Sequence, residues 1–353
     1  MENPIVCEAG KITPQWLSSV LDTKVSDVSY EIIGTGKMGD NARLTLKYGA
    51  PSQQQLASSI VAKLPAEDPQ AREMASSSGA YAREVLFYQH QAPLTTMRLP
   101  EIYHSAVNED GSEFIILMQD MSPAEPGDQI IGETAARAEL AVDEAAKLHA
   151  PFWGSKNLVG EHISRPSHVD NAEFGGALIA DAWPKFLERF SSGLNDEAKA
   201  FGDKFCNSYA KWITRFNGER TLIHSDFRSE NILFVDDPKN PSATTVDWQS
   251  IGEGCALTDV AYFLGGSLPI ETRRQYEKAL VERYRHALSS QGIQLSAEDC
   301  WEQYREFAMG AFMTVILGAV YTAAAERSDQ MFLTMAQRHF QQCVDLKSDD
   351  FIL

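Results

Sequence analysis

Short apolar runs separated by glycine and polar turns fill the first third of the chain, and apolar residues recur at helical spacing in the remainder. Thr13 followed by Pro14 reads as an N-cap with proline at the first helical position, which predicts a short helix to about Leu21. Strand-like residues run over 25–33 and 42–48, with Gly34, Gly36 and Gly39 in the turn between them. Apolar residues over 59–65 flank one lysine, Lys63, and predict a third strand; 114–118 reads as a buried strand. Helix is expected over 79–90. A segment rich in proline and glycine, 122–132, precedes a helix at 133–149. Further amphipathic helical segments follow at 181–190, 195–216, 270–289 and 297–335, and another helix opens at Leu257. No internal repeat or low-complexity tract interrupts this order.

One stretch carries most of the chemistry. Residues 222–234 begin apolar, turn polar through His224, Ser225, Asp226, Phe227, Arg228, Ser229, Glu230 and Asn231, and become apolar again. This predicts strand, loop, strand. A second apolar run, Thr244 to Val246, ends at Asp247, Trp248 and Gln249, across a turn-rich loop at 236–241. If the resulting hairpin is centred on Lys239, Ile232 pairs with Val246 and Asn231 lies opposite Asp247. A hard divalent cation such as Mg²⁺ takes carboxylate, amide and phosphate oxygens, so Asp247 and Asn231 are the candidate metal ligands. Asp226, five positions before Asn231, is the candidate catalytic residue, placed to take a proton from an attacking hydroxyl. The order His, any residue, Asp, four residues, Asn, and later a metal-holding Asp is that of a kinase catalytic loop. A polar hairpin loop would carry the same Asp and Asn by chance, but less readily His224 and Asp247 as well.

His224 to Asn231, followed by Val246 to Gln249, resembles the aminoglycoside phosphotransferase and choline kinase group, most of all its ecdysteroid-kinase-like branch. The resemblance runs over most of the chain and is loose in the last third. It implies a two-lobed, protein-kinase-like α+β fold. A small β-rich lobe over 1–118 would bind nucleotide, and a larger, mainly helical lobe over 119–353 would hold the catalytic and substrate-binding residues. It also implies ATP and Mg²⁺ as cofactors and a small hydroxylated molecule as acceptor. Lys63 resembles the strand lysine that pairs with nucleotide phosphates. Glu84 matches the carboxylate that fixes it, with Glu73 as the rival. Gln119 and Met121 resemble hinge positions whose backbone meets adenine. Asp259 resembles the aspartate that braces the catalytic loop. Gly34, Gly36 and Gly39 match G-x-G-x-x-G, but between two strands. A dinucleotide-binding fingerprint must open a helix, so that reading fails and a phosphate-covering turn remains, beside an ordinary glycine hairpin.

Composition narrows the classes. A chain of 353 residues can bury a large core, and its apolar and charged fractions are those of a globular protein. Lys and Arg total 31 against 49 Asp and Glu, a net charge of −18 that disfavours non-specific binding to nucleic acid and to anionic membrane surfaces. Five cysteines, scattered and in no metal spacing, fit a reducing cytoplasmic compartment, and the N-terminal stretch shows no signal-peptide pattern. The charge-free run 308–325 reaches the lower length limit of a membrane-spanning helix. Its glycines, threonines and alanines, and the polar helical stretch after it, predict a buried helix instead. His149, at a helix end, reads as a packed histidine rather than a catalytic one.

Two other functions share these residues. A non-catalytic nucleotide-binding module would keep the fold and lose transfer, and a protein kinase would phosphorylate a protein. The second needs a long peptide-docking segment after the metal-binding aspartate, and only positions 248–258 separate Asp247 from Asp259. A hydrolase built on a histidine-rich metal cluster finds no such cluster in the sequence.

Overall fold

A computed structural model describes residues 4–34, 38–49, 57–155 and 171–352. The chain divides into two compact units. The first comprises Met1–Leu94, Leu99–Pro123 and Val246–Ser250, and the second Thr95–Arg98, Ala124–Thr245 and Ile251–Leu353.

The first unit is a five-stranded antiparallel sheet in the order β1-β2-β3-β5-β4: β1 Val25–Ile33, β2 Gly39–Tyr48, β3 Ser59–Pro65, β4 Ile102–Val107 and β5 Phe114–Gln119. Three helices accompany it: α1 Pro14–Val20, α2 Pro69–Ser77 and α3 Ala80–Leu86. The Thr13 hydroxyl caps α1 by accepting the Trp16 N–H at 3.2 Å. Successive side chains of a strand face opposite ways. Ile60, Ala62 and Leu64 of β3 therefore join Leu44, Leu46, Ile115, Leu117, Trp16 and Leu17 in one core, and Lys63 points to the other face. The helix expected over 79–90 is α3 alone. A π-helical turn, Phe87–Gln91, follows it, and there the Phe87 ring stacks on Trp248 with centroids 3.7 Å apart.

The second unit is mainly helical: α4 Ala135–His149, α5 Ala172–Phe190, α6 Asp196–Ile213, α7 Leu257–Ser267, α8 Ile270–Ser290, α9 Ala297–Tyr321 and α10 Glu326–Leu346. Its strands are short. β6 Glu125–Pro126, β8 Ile232–Val235 and β9 Ser242–Thr245 form one sheet, and β7 Thr221–Ile223 pairs with β10 Gly252–Gly254. The single segment expected over 297–335 is two helices. Nothing local ends α9, because alanine favours helix. Its end is set by Arg189 of α5, which donates to the carbonyls of Ala319 and Thr322 and pairs with Asp329 of α10. Most of the charge-free run lies in α9, and among the described residues no helix is long and apolar enough to cross a membrane.

Candidate active site

Lys63 is buried beneath the sheet of the first unit. Its Nζ lies 2.7 Å from Glu84 Oε2 and 3.0 Å from Asp247 Oδ1. Glu84 projects from α3 and is fully buried, whereas Glu73 on α2 is exposed, so Glu84 is the partner of the lysine. Burial opposes the Lys63 ammonium, but the Asp247 and Glu84 carboxylates outweigh it and hold its pKa up to about 12. Burial also pushes the Glu84 carboxyl up, against the pull of Lys63. The lysine is thus a fixed cation with two anionic partners.

Asp247 reaches this cluster because its segment packs on α3. Trp248 N–H donates to Glu84 Oε1 at 3.3 Å, and Arg83 Nε donates to the Gln249 carbonyl at 2.8 Å. The β8/β9 ladder corrects the expected hairpin register. Ile232 pairs with Thr245, one residue short of Val246, and β9 ends there. Asn231 is therefore not opposite Asp247 across a ladder. The Asp247 backbone takes φ +69°, a left-handed conformation that aspartate tolerates better than most residues and that turns the chain out of β9.

The remaining nucleotide-side candidates differ in what surrounds them. Gly34 follows β1 at φ +73°, which favours glycine. Gly36 lies outside the described residues. Gly39 begins β2, where a Cβ would stand 2.9 Å from the Leu64 carbonyl and 3.8 Å from Lys63 Cε. Close approach of two strands beside the lysine already explains that glycine. Gln119 closes β5 opposite Ile60, its N–H bonded to the Glu101 carbonyl at 2.8 Å. Met121 follows, half-buried, in irregular chain.

The catalytic-loop candidates sit in the second unit. Asp259, buried on α7, accepts the N–H of His224 at 2.6 Å and of Ser225 at 2.9 Å. His149 holds Asp259 from behind at 3.2 Å and bonds Tyr284 at 2.7 Å, a packed structural histidine. The brace accounts for Ser225, held at φ +65° immediately before Asp226. Asp226 receives Asn231 Nδ2 at 2.9 Å, Tyr262 Oη at 3.0 Å and Arg228 Nε at 3.3 Å. Its side chain remains 27 % exposed, enough to meet a hydroxyl. Arg228 also pairs with Glu230, which Arg327 bonds in turn.

Tyr262 and Arg228 were not singled out from the sequence. Burial, then the Asp226 charge, raises the Tyr262 pKa well above the phenol range, so it stays a donor. The signal for Tyr262 was present: it follows Asp259 by three positions on one helix, and such residues share a face.

Each of the two metal candidates, taken by itself, keeps an oxygen suited to a hard cation. Asp247 keeps 40 % of its side chain exposed while pairing with Lys63. Asn231 commits its amide nitrogen to the Asp226 carbonyl and carboxylate, so its amide oxygen is the atom left to meet a metal. Among the described residues no group of three or more His, Cys, Asp or Glu side chains is placed to hold a metal. A cation at either residue would need oxygens from a ligand as well, as nucleotide phosphates supply.

Similar architecture occurs in solved kinases of small molecules. Choline kinase from Cryptosporidium parvum superposes with a TM-score of 0.56 at 11 % identity, over 96 % of this chain and 92 % of that one. The GDP complex of aminoglycoside 2'-phosphotransferase-IIIa gives 0.55 at 13 %, over 92 % and 95 %. A microcompartment-associated aminopropanol kinase gives 0.51 at 15 %, over 96 % and 98 %. No curated protein sequence matches the chain. The fold is α+β and protein-kinase-like. A model of the ecdysteroid kinase-like family matches residues 37–296, and the chain belongs to that family.

Proposed function

We propose that this protein transfers the γ-phosphate of ATP to a hydroxyl group of a small molecule. The observation that carries the reading is the pair of built clusters: a buried lysine held by Glu84 and Asp247, and an aspartate held by Tyr262, Arg228 and Asn231. Lys63 draws charge from the phosphates. Gly34 and Gly39 flank the turn that covers them, and the backbone at Gln119 and Met121 meets the base. Asp247 and Asn231 would hold Mg²⁺, which when bound neutralises and orients the phosphate oxygens.

Asp226 orients the acceptor hydroxyl and takes its proton as the oxygen bonds to the γ-phosphorus. The bond from that phosphorus to the bridging oxygen breaks, and ADP carries away the electron pair. Most of the acceleration comes from positioning and charge neutralisation. The first unit handles nucleotide, and the second activates and holds the acceptor. The acceptor is a small molecule rather than a protein. Between Asp247 and α7 the chain makes only a short helical turn, Trp248–Ser250, and the three-residue β10, which leaves no peptide-docking segment. All five cysteines are free thiols, which suits a reducing cytoplasm.

The test is a screen of hydroxylated metabolites with purified protein and MgATP, read by mass spectrometry for an added phosphate. A phosphorylated product supports the reading. Nucleotide binding with no product across the panel would make the protein a non-catalytic nucleotide-binding module.

A further inference from the structure

Tyr262 holds Asp226, and the tyrosine is itself placed from another helix. His339 of α10 is fully buried and lies parallel to the Tyr262 ring, with centroids 5.3 Å apart and an interplanar angle of 8°. That is an offset stack, an arrangement aromatic rings prefer. At the other end of the tyrosine its hydroxyl donates to Asp226 Oδ1 at 3.0 Å. A bond at the tip leaves the ring free to turn about its side-chain torsions; a flat partner on its face removes that freedom.

Helix α7 is shaped to receive the imidazole. Gly265 and Gly266 follow Tyr262 by three and four positions, on its side of the helix. A Cβ at Gly265 would stand 2.6 Å from His339 Nδ1, and one at Gly266 would stand 2.6 Å from His339 Nε2. Either would push the ring from its seat. Glycine weakens a helix, and the ring explains two in succession.

The imidazole is also fixed in its plane. Gln342, one turn along α10, donates its amide nitrogen to the Ala261 carbonyl at 3.1 Å, which sets the direction of the amide. Its Oε1 therefore faces His339 Nδ1, at 3.3 Å, and Nδ1 carries the proton. Among the described residues Nε2 has no hydrogen-bond partner, so a ring carbon there would serve as well. Burial pushes the His339 pKa down to about 3, which keeps the ring neutral. The preceding residue, Arg338, donates to the carbonyls of Gly266 and Gln129 at 3.1 and 2.7 Å and seats α10 on the end of α7.

We propose that His339 is a positioning residue for Asp226, acting through the Tyr262 ring. Its kinetic effect rests on the phosphotransferase reading; its hold on Tyr262 does not. The test compares His339→Leu, which fills the space without a flat face, with His339→Phe, which keeps one. Both leave Gln342 Oε1 without its donor, so both should melt below wild type. They should differ at the tyrosine. In protein carrying ¹³C at tyrosine Cζ, the Tyr262 resonance is assigned by its loss in Tyr262→Phe. Adding Asp226→Asn should move it in wild type and in His339→Phe, and should leave it in place in His339→Leu. With the acceptor found by the metabolite screen, kcat should fall about tenfold in His339→Leu and stay within about twofold of wild type in His339→Phe, with KM for ATP unchanged in both. The double variant His339→Leu/Tyr262→Phe should be no slower than Tyr262→Phe alone. If His339→Leu does not fold, Gly266→Ala displaces the ring instead, with the same readings expected.

A Tyr262 resonance that answers Asp226→Asn alike in all these proteins, equal losses of kcat in the leucine and phenylalanine variants, or losses that multiply in the double variant overturn the proposal. The expected resonances with no phosphate transfer by wild type keep the positioning role and remove the phosphotransferase reading. Transfer by wild type, with resonances that do not distinguish the variants, does the reverse.

Discussion

The Lys63 cluster and the Asp226 loop place charged groups in different ways. Lys63 is 6 % exposed and owes its position to carboxylates, one of them 184 positions away in sequence. Asp226 is part-exposed and owes its position to hydrogen bonds, from Asn231 in its own loop and a tyrosine on α7, together with the neighbouring Arg228 guanidinium. A buried ion pair is rigid and expensive to break, because either partner alone is an uncompensated buried charge. A hydrogen-bonded carboxylate at a surface can lose one donor and keep its place. The first design suits holding a polyanion in one geometry, and the second suits a group that must exchange a proton with a visiting substrate.

The comparison can be broken most forcefully at Asp226. Asp226→Ala should lower turnover by about 10²–10⁴-fold, the range for a positioned general base, while nucleotide binding and melting temperature stay close to wild type. Near-normal turnover in the folded variant would remove the base role. Lys63→Met should act on stability as well, since it strands Glu84 in the interior. Denaturant unfolding should show a loss of roughly 3–5 kcal/mol, and nucleotide binding should fall with it. A variant as stable as wild type would mean that the pair is not the structural anchor described.

Asp247→Asn should weaken Mg²⁺-dependent nucleotide binding by at least about tenfold, and metal-free binding by much less. Equal losses with and without Mg²⁺ would assign Asp247 to holding Lys63 alone. The smallest effect is expected at Tyr262→Phe. One hydrogen bond to a carboxylate, about 1.5 kcal/mol at a part-exposed group, should cost roughly tenfold in kcat, with KM for ATP unchanged. A change in KM for ATP without a change in kcat would show that Tyr262 does not act through Asp226.

The sequence showed the two clusters unequally, for reasons that follow from how each is built. The loop from His224 to Asn231 is local, so its spacing alone pointed to Asp226 and Asn231. Lys63 was legible as one cation in an apolar strand, and Glu84 only through the family resemblance, because nothing local joins β3 to α3. Tyr262 donates across from another helix and carries no motif of its own. The hairpin register was misjudged by one residue because Val235 pairs with Ser242, so the loop 236–241 is centred between Pro238 and Lys239 rather than on Lys239, and a loop that long does not fix register by turn type. The break between α9 and α10 depends on Arg189 in α5, and the alanine-rich residues around it favour helix throughout. Strand alternation and helix caps such as Thr13 are properties of short segments, and those could be read directly.

The most direct measurement follows label from [γ-³²P]ATP into a panel of hydroxylated small molecules and a generic protein substrate, with wild type and Asp226→Ala side by side. The account predicts a labelled small molecule with wild type, little or none with the variant at equal nucleotide occupancy, and no labelled protein. Label on protein alone, or equal labelling by the two enzymes, would contradict it.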